Sequence, residues 1–315
     1  MVSILACAPK PAERGARVGL VTPGSIADAA WNAGAYQGLN RIHDSLGLSI
    51  SNVEAHTPAE QEEALRSYAA QGYELVFAHG FEFQDLAERV SHDYPRTVFI
   101  VTSGRRAKGN VAPLVFRLDE ASYLAGMVAG GMTRSNLIGF VGGMELPPIE
   151  SAYQGWVNGA TAVNPSVRSR KIYLNSFDDV AAGREATLAL IRLGADMFHH
   201  NADAAALGLF QAVKERPELR VFGANADQTR LAPANVLGNA ILDLPHAFLL
   251  VAGEVKAGKF RSRVETFGLA GGVVRYEMNP ALTPSVPAAL RARVQAAADS
   301  IAAGTLHPVP SDSAA

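Results

Sequence analysis

From Arg17 onward, short apolar runs alternate with helix-length amphipathic segments, and this rhythm constrains the fold more than any other feature of the chain. The runs are Val18–Thr22, Leu48–Val53, Leu75–Ala78, Val98–Thr102, Leu137–Val141, Lys171–Leu174, Met197–His199 and Leu219–Gly223. Between them lie helical patterns near Asp28–Leu46, Pro58–Gln71, Asp85–Tyr94, Glu120–Met132, Ile149–Val163, Asp179–Leu193 and Ala204–Glu215. Short strands apolar on both faces, each followed by a helix, predict buried parallel sheets with βαβ crossovers. The chain has 315 residues, more than one hydrophobic core sustains, and the rhythm restarts after Val111–Arg117. An α/β protein of two doubly wound lobes, with a boundary near residue 117, is expected.

The turns predict where such a protein works. Thr22-Pro23-Gly24, Ala78-His79-Gly80, Thr102-Ser103-Gly104, Val141-Gly142-Gly143 and Gly223-Ala224-Asn225 each follow an apolar run. Open α/β sheets bind ligands outside the carboxyl ends of their strands. Aromatic residues gather near these turns: Trp31, Tyr36, Phe81, Phe83, Phe177 and Trp156. Tyr36 and Trp156 sit deep in helical patterns and read as core. Trp31 and Phe177 fall at turn-to-helix junctions with polar neighbours, where two rings would grip a flat heterocycle while Asp and Asn side chains read its edge.

Composition excludes several classes. The formal net charge of −2 gives no electrostatic reason for nucleic acid or anionic membrane as a partner. No run of eighteen apolar residues is present to span a bilayer. The chain carries no Gly-x-Gly-x-x-Gly after its first strand, no phosphate-cradling Gly-x-x-x-x-Gly-Lys-Ser/Thr and no Gly-x-Ser-x-Gly elbow. His199-His200 with Asp203 hints at a metal, but adjacent strand residues point to opposite faces and cannot share one ion. Asp119-Glu120 and Asp178-Asp179 open helices, where carboxylates suit the positive end of the dipole. No cofactor, metal or enzymatic activity is expected. The single cysteine, Cys7, follows Ile4-Leu5-Ala6, a lipobox-like tetrapeptide, although a complete export signal would need residues upstream of Met1.

Five collinear segments resemble the basic membrane protein family of ABC-transporter substrate-binding lipoproteins, which includes purine nucleoside receptors. They are Asp28-Ala-Ala-Trp31-Asn32-Ala-Gly-Ala-Tyr36-Gln-Gly38-Leu39, Glu120-Ala-Ser-Tyr-Leu-Ala-Gly126, and Gly139-Phe-Val-Gly-Gly-Met144-Glu-Leu-Pro147. Asn175-Ser-Phe177-Asp178-Asp179 with Gly183-Arg184-Glu185, and Gly223-Ala-Asn225-Ala-Asp227-Gln228, complete the set. The similarity runs from about residue 17 to 255.

The resemblance implies a type I periplasmic-binding fold with a hinge and discontinuous lobes. Residues 17–117 plus about 241–265 would form the first lobe, and 118–240 plus about 266–302 the second. Residues 1–16 and 303–315 would be tails. It implies Trp31 and Phe177 as stacking rings, and Asn32, with Asp28 beside it, at the heterocycle edge. Asn225 or Asp227 would meet a ribose hydroxyl, with Phe81, Asp119 and Glu120 along the remaining wall. It further implies a monomer at the cell surface or in the periplasm, lipidated at Cys7, handing a small molecule to a membrane permease. The chain departs from the family where nucleoside-binding members place a lysine aimed at the sugar, since it reads Ile241-Leu242-Asp243. A free nucleobase or another flat heterocycle therefore competes with a nucleoside. The alternatives are a ligand-sensing regulator on the same fold, which would call for a DNA-binding segment and basic charge, and a nucleoside hydrolase, which would call for a carboxylate cluster.

Overall fold

The computed structural model describes residues 16–28 and 30–309, so Cys7 and residues 310–315 lie outside the described part. The chain begins with β1 (Arg17–Thr22), α1 (Trp31–Leu46), β2 (Ser49–Glu54), α2 (Pro58–Ala70), β3 (Leu75–His79), α3 (Gln84–Asp93), β4 (Val98–Thr102) and β5 (Val111–Phe116). It continues through α4 (Leu118–Met132), β6 (Leu137–Gly142), α5 (Pro147–Val163), β7 (Arg168–Tyr173), α6 (Val180–Arg192), β8 (Met197–Asn201), α7 (Ala206–Lys214), β9 (Arg220–Asn225) and β10 (Val236–Leu242). The last described elements are α8 (Leu244–Lys256), β11 (Glu265–Phe267), β12 (Val274–Met278) and α9 (Ala288–Ala302).

The described strands form two sheets, ordered β2-β1-β3-β4-β5-β11 and β7-β6-β8-β9-β10-β12. Pairing is parallel throughout, apart from β12, which runs antiparallel to β10. The two windings are the same. In each, the second strand lies outside the first and the later strands go the other way, so the topological switch falls between β1 and β3 and again between β6 and β8.

Central strands such as β1, β3 and β6 are buried along their length because helices cover both faces. The edge strands β2 and β7 carry polar sequences and stay partly exposed, as sheet edges must to avoid further pairing. That exposure explains why β7 begins at Arg168, three residues ahead of the expected Lys171: only its end is apolar. Local signals fix the helices. Thr57 and Glu60 form a reciprocal capping box on α2 with Pro58 in its first turn. Gly47 ends α1 in the left-handed region, its N–H bonded to the His43 carbonyl at 2.8 Å.

The chain passes between the sheets three times, at 116–118, 242–244 and 267–274. These passages are bonded to one another. Arg117 N–H donates to the Phe267 carbonyl at 2.8 Å, and Asp243 N–H to the Val273 carbonyl at 2.7 Å. Membership of the sheets shifts the expected boundaries by two residues at each return: β10 stays in the second sheet through Leu242, and β11 stays in the first through Phe267. Residues 303–309, expected as part of a tail, pack on the second lobe instead. Leu306 joins its apolar cluster, and Asn158 Nδ2 donates to the Pro308 carbonyl at 2.8 Å.

Helices α4 and α5 approach almost backbone to backbone. A Cβ at Gly126 or Gly130 would overlap backbone of Trp156 or Ala160, and one at Gly155 or Gly159 would overlap the Asp119 or Tyr123 carbonyl. Since helix backbone cannot yield as a flexible side chain does, Gly159→Ala should destabilise by about 1–3 kcal/mol, the usual cost of overpacking. Urea unfolding checks this, and a variant as stable as the parent would contradict the close packing.

Candidate ligand-binding cleft

A cavity of about 470 Å³ lies where the carboxyl ends of both sheets face each other. Its walls come from the turns after the parallel strands of both lobes, including Gly24 after β1, Phe81 after β3, Phe177 after β7 and Asn225 at the end of β9. The volume suits a small organic ligand enclosed by apolar walls with a few polar groups.

Trp31 forms part of the first lobe's wall, and the residues behind it hold it. Its indole stacks on the His79 ring, with centroids 4.1 Å apart and planes 23° apart, and meets the Phe116 ring edge-on at 6.2 Å. His79 Nε2 lies 3.1 Å from the Trp31 carbonyl, and Nδ1 lies 2.9 Å from Thr102 Oγ1. A carbonyl only accepts, so Nε2 carries the proton and Nδ1 accepts the Thr102 hydroxyl. Full burial drives the His79 pKa down to about 3, which keeps the ring neutral in this arrangement. One indole face is thus occupied by His79, and Trp31 contributes to the cavity lining.

Asn32 follows on the same helix and is 5% exposed. Its Oδ1 is buried and has no hydrogen-bond partner among the described residues. Buried amide oxygens seldom go unpaired, because desolvating one without a partner costs about 1–3 kcal/mol. Asp28 positions this turn: its carboxylate accepts N–H from Ala30 at 3.0 Å, Asn32 at 2.7 Å and Ala33 at 2.9 Å.

The second lobe supplies the opposite wall. Phe177 packs so closely over Gly143 that a Cβ there would overlap its ring, and its carbonyl accepts Ala205 N–H at 2.8 Å. Ser176 Oγ accepts the N–H groups of Asp178 and Asp179 at 3.1 Å each, while Asp179 caps α6 through Ala182 N–H at 2.8 Å. Asp178 itself projects into the cleft. Phe81 lines the cleft with its ring under the Arg105 guanidinium, 5.4 Å away.

The polar floor is held in costly backbone conformations. Ser103 (φ 56°), Asp203 (φ 43°) and Asn225 (φ 66°) all line the cleft in the left-handed region, which costs of order 1–3 kcal/mol for a residue other than glycine. Asn225 Nδ2 reaches Asn201 Oδ1 at 3.3 Å and Asp203 Oδ1 at 3.4 Å. Burial first, then the charges of Asp28, Glu82 and Asp178, push the Asp203 carboxyl well above its ordinary range. Enclosure between the lobes also raises Glu82.

Of the residues expected at the site, Trp31, Asn32, Phe81, Phe177 and Asn225 line this one cavity. The other four lie outside the lining. Asp28 is engaged by the helix N–H groups. Asp119 is held by Arg117 in a two-pronged pair at 2.9 and 2.7 Å, and Glu120 accepts Leu269 N–H at 2.8 Å, so both brace the passages between lobes. Asp227 is exposed outside the cleft, where its Oδ1 accepts from Thr229 N at 2.9 Å and Asn239 Nδ2 at 3.0 Å. Between Asn225 and Asp227, it is Asn225 that faces the cleft. Glu82, Phe116, Asn201 and Asp203 were not singled out as binding residues, yet each sits at or just after the end of a parallel strand.

His199 and His200 point to opposite faces of β8. His199 Nδ1–H donates to the Phe222 carbonyl at 3.0 Å and Nε2 accepts from Ser122 Oγ at 3.0 Å. His200 Nε2 donates to Gln228 Oε1 at 2.8 Å.

Comparison with known proteins agrees with this geometry. The family model described as Bmp, ABC transporter substrate-binding protein PnrA-like, matches residues 16–298. The chain is 27% identical over 292 residues to the ABC transporter nucleoside-binding protein BmpA of Lactococcus lactis, covering 85% of this chain and 83% of that protein. It is 26% identical over 267 residues to a purine-binding protein of Brucella abortus, covering 84% and 75%. An ABC transporter solute-binding protein from Aeropyrum pernix has the same fold, with a TM-score of 0.83, 22% identity and 94% of each chain covered.

The buried histidines set a pH dependence. Burial lowers His79 and His199 to about 3 and His200 to about 4. The unfolded chain therefore takes up protons first as pH falls below about 6.5, and stability present above that value is lost. Asp203, Glu82 and Glu120, raised by burial, act with the opposite sign and offset part of this loss. Each imidazole should cost up to about 2 kcal/mol by pH 5. Urea unfolding at pH 7 and pH 5 should show a clear loss, and equal stability would contradict burial of the neutral rings.

Proposed function

Because the chain belongs to the Bmp family of PnrA-like ABC transporter substrate-binding proteins, we propose that it captures a purine nucleoside or nucleobase outside the cytoplasm and delivers it to the permease of an ABC importer. The observation that carries this reading is the placement of Trp31 and Phe177, from different lobes, on one cavity beside an unpartnered Asn32 Oδ1. Rings on both sides of a slot suit a planar base, and an orphan acceptor suits its N–H edge. The names of the Lactococcus and Brucella relatives, nucleoside-binding and purine-binding, support the same ligand class.

Closure over the base would remove apolar area from water at roughly 25 cal/mol per Å². Hydrogen bonds to Asn32, Asn201 and Asn225 would add selectivity, because each edge left unpaired costs about 1–3 kcal/mol. A ribose would lack a lysine partner after β10. Asp243 stands there, capping α8 through His246 N–H at 3.0 Å and facing Arg275 Nη1 at 3.3 Å. We favour a nucleobase or a nucleoside held chiefly through its base. The ligand is bound and released unchanged by a monomer, and Cys7 is the proposed lipid anchor.

Calorimetric and thermal-shift titrations against adenine, guanine, hypoxanthine, xanthine and their nucleosides test this, with sugars and amino acids as controls. A ligand at one hundred times its dissociation constant should stabilise the fold by about 2.7 kcal/mol. Trp31→Ala and Phe177→Ala should each weaken binding of the responding purine by about 1–3 kcal/mol if both rings stack on it. Silence across the purines, or undiminished binding by both variants, would contradict the proposal.

A further inference from the structure

Glu82 of the first lobe and Asp178 and Asp203 of the second enter the same cavity, and among the described residues no Lys or Arg lines it. The Arg105 guanidinium above Phe81 is taken by Asp85, with Nη2 at 2.9 and 3.2 Å from its two oxygens. The cleft also holds a fourth acceptor, Asn32 Oδ1, on a side chain 5% exposed and without a hydrogen-bond partner among the described residues. Three carboxylates facing one enclosed space repel each other, and Asp28 lies close enough to add to that field. The repulsion and its burial are strong enough to hold the Asp203 carboxyl well above its usual range.

A ligand entering such a space interacts with all these groups at once. A cation is attracted by each carboxylate and lessens their mutual repulsion. An anion meets the carboxyl groups of Glu82, Asp178 and Asp203, and His56 is the one basic side chain among the described lining residues. A neutral base satisfies Asn32 and leaves the repulsion in place. Charge interactions in a partly desolvated site are stronger than in bulk water, so charge separates two heterocycles of one shape.

Resting on the reading of the cleft as a heterocycle site, we propose that it favours the cationic form of a nitrogen heterocycle over the neutral form and rejects anions, with Glu82, Asp178 and Asp203 as the selecting groups. A purine ligand is then one that presents positive charge to the carboxylates, and nucleotides are excluded.

Titrations with pairs that differ in charge but little in shape test this: adenosine against 1-methyladenosine, nicotinamide against 1-methylnicotinamide, and adenosine 5′-monophosphate as the anion. The cation of at least one pair should bind more tightly than its neutral partner by at least about tenfold, a conservative share of the charge interaction, and the monophosphate should not bind. The preference should shrink toward parity in Glu82→Gln/Asp178→Asn and in Asp203→Asn. Both variants should keep or raise the ligand-free melting temperature, because each removes like-charge repulsion. If only the nicotinamide pair responds, the purine reading fails while the charge selection stands. If adenosine binds as well as or better than its cation and nicotinamide shows no cation preference, the purine reading stands and the charge selection is overturned. Binding of the monophosphate, a cation preference unchanged in the variants, or silence of every cation would also overturn it.

Discussion

The hydrogen bonds that tie the three interlobe passages to each other are the constraint on which the rest of the molecule depends. Arg117 to Phe267 and Asp243 to Val273 join segments far apart in sequence at the only places where the described chain changes sheets. They keep the carboxyl edges of two similarly wound sheets face to face. Every turn with freedom to carry a ligand-binding side chain then opens toward the same gap. Asp119, Glu120 and Asp243 serve this region: the first two hold Arg117 and the Leu269 N–H, and the third caps α8 and faces Arg275. Around Arg117 and Asp243 the passages carry the buried apolar residues Leu118, Leu242, Leu244, Phe267 and Val273, and beyond them α4 packs backbone to backbone on α5.

Behind the cleft, buried polar groups fix the surfaces that meet the ligand. His79, neutral and oriented by Thr102, backs Trp31 and holds its carbonyl. Beneath Asn225, Gln228 Oε1 gathers His200 and Ala224 N–H, and Asn239 links Gln228 to Asp227. His200 Nδ1 lacks a partner among the described residues, while the remaining bonds tie these groups together, and buried hydrogen-bond networks rigidify their surroundings. The lining adds an unpaired Asn32 oxygen, crowded carboxyl groups and three left-handed residues other than glycine, Ser103, Asp203 and Asn225. Unspent hydrogen bonds and stored strain belong where a ligand can resolve them.

Much of this was legible in the sequence, for identifiable reasons. The parallel sheets showed as buried apolar runs, and the cleft showed as the turns that follow them. Trp31, Phe81, Phe177 and Asn225 could be placed near the gap because a residue just past a parallel strand has little choice of location. Carboxylates at similar positions were ambiguous. Asp28, Asp119 and Asp227 each found a backbone N–H or an arginine within a few residues, and no sequence pattern distinguishes such local service from an open outlook on the cleft. Asp203 went the other way. It drew notice only beside His199-His200, and its left-handed backbone, invisible in sequence, turns it into the cavity. The strand β11, three residues long, and the exposed first half of β7 gave too little periodic signal to bound.

Native mass spectrometry of the purified protein, followed by release and identification of whatever small molecule it carries, tests the central claim most directly. The account predicts one intact nitrogen heterocycle per chain, without phosphate, displaced when the cleft is blocked by a bulky residue at Gly24, whose Cβ would point toward Asn32 and Asp178. A bound sugar or anionic ligand, or a heterocycle retained after the cleft is blocked, would contradict it.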